Sequence, residues 1–307
     1  MALLEVDDLS IFFTSYKGCF KQTNLHVLQG IELDVNRREI MAVIGSSGSG
    51  KSLLAHAILG ILPGNARLRG TIRFDGEELT PRRQEALRGR DIALIPQAVT
   101  YLDPLMRAGS QVRTSVRTGD PVEEQRKAFA RYRLAPEAGR RYPHQLSGGM
   151  ARRVLVSMAT VSGAQLLIAD EPTPGLDPAI AQEAMQQLRE LAASGSGVLL
   201  ISHDLESALQ AADRVAVFYA GTMVEIAFAA DFDEDGAHLR HPYSRALWRA
   251  LPQNDFQPIA GSQPQPWERA SGCPFAPRCD AATATCGEQL PNMRELRGGK
   301  VRCIHAT

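Results

Sequence analysis

Gly45-Ser46-Ser47-Gly48-Ser49-Gly50-Lys51-Ser52 fits G-x-x-x-x-G-K-[ST], the spacing of a loop that cradles phosphates. Its glycines let the backbone curl so that N–H groups point at phosphate oxygens. A helix opening there adds partial positive charge. Lys51 then reaches the β- and γ-phosphates, and the Ser52 hydroxyl sits on Mg²⁺. The competing reading is a Gly/Ser-rich turn that matches by chance. Against it, residues 40–44 form a short apolar run before the loop, and Leu53, Leu54, Ala57, Ile58 and Ile61 recur at helical spacing after it.

Further candidates narrow the chemistry. The apolar run 165–169 ends in Asp170 and Glu171. Asp170 suits Mg²⁺, directly or through water. Glu171 is placed to polarise a water in line with the γ-phosphorus as a general base. Leu146-Ser147-Gly148-Gly149-Met150 puts small residues at a helix start, so Ser147, Gly148 and Gly149 form a second surface for phosphate. A second such surface so far from Lys51 makes sense if two subunits dimerise head to tail, each covering the other's nucleotide. Gly175-Leu176-Asp177 then lies at the same interface. His203, after another apolar run, touches the γ-phosphate, and Gln97, ending its own run, reads Mg²⁺ or water. Singly each is weak, since a lone His or Gln is more often structural.

These residues need elements to hold them. Residues 3–13 read as an edge strand and 27–35 as another, with a polar and aromatic loop over 14–24. A strand and turn follow at 70–80, and a short strand at 91–96. Residues 105–160 are helical and charged, a helical subdomain. Strands return at 165–169, 198–201 and 215–218, separated by helical patterns at 180–193 and 205–212. Strands alternating with helices imply a parallel sheet covered on both faces. After about 230 the character changes: an acidic loop at 231–235, a short helix at 244–250, and a Pro/Gln/Gly-rich linker at 253–265.

Composition bounds the reading. The 307 residues carry 34 basic and 34 acidic side chains, a formal net charge of zero, which argues against a chain built to hold nucleic acid by its phosphates. No apolar run approaches the ~18 residues that span a bilayer, and the first residues lack the features of a secretion signal. The expectation is a cytosolic chain that meets a membrane only through partners. Four of the five cysteines, Cys273, Cys279, Cys286 and Cys303, cluster at the C-terminus, while Cys19 stands alone as a loop or packing residue. In a cytosolic chain four such thiols are poor disulfide candidates and suit zinc, an iron–sulfur cluster or free burial.

Taken in order, GSSGSGKS, Gln97, LSGGM, LLIADEP, Gly175-Leu176-Asp177 and His203 resemble the ATP-binding subunit of an ABC transporter over residues 3–230. The resemblance implies an α/β P-loop NTPase of the ABC type. It would have a mixed or parallel sheet core, an ATP-binding domain over 1–230 with its helical subdomain at about 98–160, and a Cys-rich extension over 231–307. It implies ATP and Mg²⁺ on Lys51, Ser52, Gln97 and Asp170, with Glu171 as base, His203 as γ-phosphate sensor, and Ser147 to Gly149 completing the partner's site. An aromatic among Phe12, Phe13, Tyr16 and Phe20 would stack on adenine. The sequence departs from the family at Met150, where Gln is usual, at Arg38, where Gly is usual, and at Pro174-Gly175.

The tail, with His241-Pro242-Tyr243, Cys273-Pro274-Phe275-Ala276-Pro277-Arg278-Cys279 and the later cysteines, resembles the dipeptide/oligopeptide/nickel importer ATPases. Residues 97–106 and Met150 lean toward the nickel or metal-chelate branch. The resemblance implies a [4Fe-4S] cluster on the four cysteines, with Zn²⁺ or free thiols as alternatives. It further implies a motor on the cytoplasmic face of the membrane. Its partners would be a second ATPase subunit and two permeases, with an extracytoplasmic solute-binding protein engaged indirectly and no nucleic acid. The alternative is a soluble ABC-type ATPase acting on nucleic acid or ribosomes.

Overall fold

The computed structural model describes residues 2–17, 21–174, 178–233, 236–268 and 271–307, with the side chains at 15–17 and 21–23 outside that description. Cys19, Phe20, the Tyr16 side chain, the triplet 175–177 and part of the acidic loop therefore lie outside the described residues. The chain gathers into two compact units, Met1–Asp34, Met41–Leu79 and Ser202–Thr307 in one, Val35–Ile40 and Thr80–Ile201 in the other.

The first unit begins with β1 (Leu4–Lys17) and β2 (Lys21–Val35), both longer than the apolar pattern suggests. Next come β3 (Ile40–Gly45), α1 (Lys51–Leu59), β4 (Ala66–Phe74) and the short β5 (Glu77–Glu78). β1 is not an edge: it lies between β4 and β2, pairing antiparallel with β4 from Leu4↔Phe74 to Phe13↔Ala66 across a bulge between Asp7 and Ser10. Every residue of β3 is buried, which is why it reads as a continuous apolar run rather than an alternating one.

The second unit holds α2 (Pro81–Leu87), β6 (Ile92–Ile95), α3 (Ala108–Ser115), α4 (Pro121–Arg131), α5 (Gly148–Val161), β7 (Leu166–Asp170), α6 (Pro178–Ala193) and β8 (Gly197–Ser202). β6, β7 and β8 pair in parallel, from Ile92↔Leu166 and Leu166↔Gly197 onward. The helices α3, α4 and α5 enclose their own core of Leu102, Val112, Phe129, Leu134, Val154 and Leu155. Burying Phe129 alone contributes about 1.5–3 kcal/mol. Buried Gln111 takes the Asp103 N–H (2.9 Å) and donates to the carbonyls of Asp103 (3.0 Å) and Met106 (2.8 Å), so the irregular segment before α3 keeps its shape.

The chain then returns to the first unit with α7 (Leu205–Leu209), β9 (Arg214–Tyr219), β10 (Thr222–Phe228), α8 (Pro242–Arg249), α9 (Thr285–Glu288), β11 (Arg294–Leu296) and β12 (Gly299–Val301). β9 runs parallel to β3 and antiparallel to β10, which in turn pairs with β2 and β12. The sheet is therefore mixed, not wholly parallel. β9 turns into β10 through Ala220 (φ 47°) and Gly221 (φ 73°), the two left-handed residues that a tight hairpin needs. Beyond α8, Phe275 packs its ring edge-on to Tyr219 (5.3 Å between centroids) and near Tyr243 (5.2 Å), so the C-terminal region is seated on the end of β9.

Candidate functional site

β3 delivers the phosphate loop and α1 receives it. Gly45 has no room for a side chain, since a Cβ there would lie 2.5 Å from the Phe218 carbonyl oxygen. Gly50 sits at φ 94°, and a Cβ on it would lie 2.4 Å from Leu28 Cδ2. Lys51 is buried and folds Nζ back onto the carbonyls of Gly45 (2.7 Å) and Ser46 (3.2 Å), so its ammonium lies within the loop. The Ser49 hydroxyl is buried with no hydrogen-bond partner among the described residues, an orphaned polar group inside a loop of anion-binding type. The Ser46 hydroxyl donates to the Gln263 side chain, which brings the stretch read as a linker onto the phosphate loop. His203, in the same unit, is exposed just after β8. Phe12 and Phe13 are half-buried on β1, Phe12 with its ring 5.4 Å from that of His26.

In the second unit β7 ends in buried Asp170, and Glu171, also buried, follows with φ 50°. The Glu171 N–H is held by the Ile201 carbonyl at 2.9 Å. Ser147 caps α5 by accepting the Met150 N–H (3.3 Å), and nothing lies within 4 Å of a Cβ built on Gly148 or Gly149. The start of α5 is thus open for a phosphate or a partner chain. Gln97 is exposed, and its carbonyl is bonded by Arg152. Arg152, which the motifs do not single out, also reaches Glu171, Pro172 and Pro174. A sequence signal existed: Arg152, Val156 and Ala159 share one helical stripe and all are buried, so this cation stands on an apolar face. Arg38, where the resembled family has Gly, adopts φ 63°, the conformation a glycine would take most easily.

Ser52, second in α1, and Asp170 are oxygen donors of the kind Mg²⁺ takes. They belong to the first and second unit respectively. The four tail cysteines are free. Burial pushes the Cys273 and Cys279 thiols up, and neighbouring thiols add to this, Cys303 and Cys279 for the first, Cys303 and Cys286 for the second. Each of these two thiols therefore feels the charge of two others in the tail. Even so, among the described residues no three His, Cys, Asp or Glu side chains stand close enough to hold a metal ion. The placement supports neither the zinc nor the iron–sulfur expectation, because loops bring these thiols into one neighbourhood without closing them on one centre.

A model of the ABC transporter family matches residues 28–174, and one described as the oligopeptide/dipeptide transporter C-terminal region matches 224–286. The dipeptide transport ATP-binding protein DppD of Haemophilus influenzae is 34% identical over 99% of this chain and 95% of its own length. The oligopeptide transport ATP-binding protein OppD of Escherichia coli is 33% identical over 98% and 92%. A solved ATP-binding subunit of an ABC transporter superposes with a TM-score of 0.62 at 28% identity, over 75% of this chain and 91% of that one.

The chain belongs to the ABC transporter family, with the P-loop NTPase fold of its ATP-binding cassettes. Within that family it is an ATPase subunit, similar along nearly its whole length to the peptide-import subunits just named. Neither relative supports the nickel branch or the soluble alternative. Among the described residues no helix is long and apolar enough to cross a membrane.

Proposed function

We propose that this chain is the ATP-hydrolysing motor subunit of a membrane importer for peptides. The observation that carries the reading is that the cassette match and the peptide-transporter C-terminal match occur in one chain whose likeness to DppD spans 99% of it. Gly45 to Ser52 bind the phosphates of ATP, with Lys51 on the β- and γ-phosphates and Ser52, Gln97 and Asp170 serving Mg²⁺. Glu171 polarises the attacking water and His203 senses the γ-phosphate. Ser147 to Gly149 complete the site of a second ATPase subunit, and their open helix start supports this role. ATP closes the pair and hydrolysis reopens it.

Two permeases receive that motion on the cytoplasmic face of the membrane. Val99, Tyr101 and Leu105 support this, being large apolar side chains 36%, 55% and 86% exposed just beyond Gln97. For the four cysteines our reading remains a [4Fe-4S] cluster that pins the tail. It rests on the likeness of the tail to the importer ATPases and on the four thiols being free there, not on a closed metal site. Anaerobic purification should then yield about four irons per chain, and an iron-free chain with an intact tail would end that reading.

The experiment for the motor is mild-detergent purification of the chain from its native membranes, with partners identified by mass spectrometry. Two multi-span permeases and a second ATPase are expected. Recovery with ribosomes or nucleic acid, or of the chain alone, would refute the importer reading.

A further inference from the structure

We propose that Arg152 is the positioning residue for Glu171, holding the strained backbone from which that carboxylate projects. The inference rests on the reading of Glu171 as the base. Arg152 lies on α5, five residues beyond Ser147, and is 8% exposed. Its Nη1 donates to the carbonyls of Pro172 (2.8 Å) and Pro174 (3.2 Å), and its Nη2 to those of Gln97 (2.7 Å) and Glu171 (3.1 Å). One planar fork therefore gathers four backbone oxygens from two segments, the end of β6 and the turn after β7.

That turn needs holding. Glu171 has φ 50°, a left-handed conformation that residues with a Cβ adopt at a cost. Such strain persists only where the surroundings over-determine it. Here the peptide on one side of Glu171 is fixed by its N–H to Ile201, and the peptide on the other by its carbonyl to Arg152. With both peptides pinned, the direction of the Cα–Cβ bond is set before any ligand arrives. The same guanidinium bonds the Gln97 backbone, so the two polar residues proposed for water and Mg²⁺ share one anchor. Burial pulls the Arg152 guanidinium down and the nearby Glu171 charge raises it again, as expected if the side chain also feels the carboxylate it positions.

Lysine cannot reproduce this contact, because a point charge on a flexible stem cannot span four carbonyls. Glutamine keeps two N–H donors and fills part of the space, but offers fewer donors than the four bonds require.

The test uses the full chain in the complex recovered from its membranes. Steady-state ATP turnover and ATP binding are measured for Arg152→Gln, Arg152→Lys and Glu171→Gln, with thermal melting alongside. Positioning predicts that Arg152→Gln lowers kcat by about 10- to 100-fold, while KM and ATP affinity change less than about twofold, and that Arg152→Lys recovers only part of the loss. Unchanged kcat in Arg152→Gln, with Glu171→Gln inactive, would overturn the role of Arg152 and leave the base reading standing. Loss of kcat, ATP binding and melting temperature together would reduce Arg152 to a structural part and also overturn it. Rapid turnover by Glu171→Gln would remove the base itself.

Discussion

His241 should set an acid limit on the stability of the first unit. It caps α8, its Nδ1 accepting the Tyr243 N–H at 3.0 Å, which requires the neutral ring with its proton on Nε2. That Nε2 is buried with no hydrogen-bond partner among the described residues, and the residue is 1% exposed. The Glu225 carboxylate beside it takes the His241 backbone N–H (2.8 Å), not the ring, and also receives the Arg240 guanidinium. Burial accordingly lowers the His241 pKa from 6.5 to about 3. Between those values the unfolded chain binds a proton that the folded chain refuses, so stability rises with pH there. The contribution is complete above the unfolded pKa and is lost as pH falls toward the folded one.

Taking the two values at face, His241 alone removes about 2 kcal/mol between pH 7 and pH 5. His241→Asn is the informative change, because Asn keeps an oxygen for the cap and cannot titrate. It lowers stability by a pH-independent amount for the lost ring and flattens the acid limb. Urea unfolding followed through Trp248, which lies on α8 itself, gives the stability difference at each pH. Wild-type and variant lines that run parallel from pH 7 to pH 5 would refute the burial of a neutral ring as the source of the acid sensitivity.

Arg240→Leu should cost the first unit about 3–5 kcal/mol, since Arg240 pairs with fully buried Glu225 (3.3 Å) and with Asp231 (2.8 Å). A loss under about 1 kcal/mol in urea unfolding would show that Glu225 is satisfied by its two backbone N–H donors alone. Gly50→Ala should abolish ATP binding measured by titration while most of the chain still melts cooperatively. Its Cβ would enter Leu28, and its left-handed φ adds about 1–2 kcal/mol. Retained ATP affinity would show that the phosphate loop can reshape around a side chain.

The phosphate loop and the strand ends carrying Asp170 and Glu171 are legible because each depends on a contiguous pattern, an apolar strand running into a fixed polar string. The misread parts depend on distant partners. Residues 14–24 look like a loop by composition, yet β1 runs to Lys17 and β2 starts at Lys21, because strand formation here follows from pairing, not from apolar content. β10 escapes notice because Glu225 interrupts its apolar run, and Arg240 with the His241 N–H, 15 and 16 residues further on, makes that burial tolerable. β11 and β12 are three residues each, and their polar sequence acquires meaning only against β10.

Arginine explains what pattern reading missed most. Of the 34 basic residues only five are lysine. Arg152, Arg240 and Arg302 are each buried, and each donates to backbone carbonyls. Arg152 takes four, Arg240 those of Leu296 and Arg297, and Arg302 those of Gly30, Met223 and Pro291. Several of these oxygens lie in turns and loop ends, where an unpaired carbonyl removed from water would cost free energy. A guanidinium satisfies several at once and, being always charged, holds them at any working pH. The same device thus lashes the tail to the sheet through Arg240 and Arg302, and the turn after β7 to the helix of Ser147 through Arg152. Replacing any of the three leaves several distant carbonyls unpaired together, so each variant should act on a whole segment and not on a single contact.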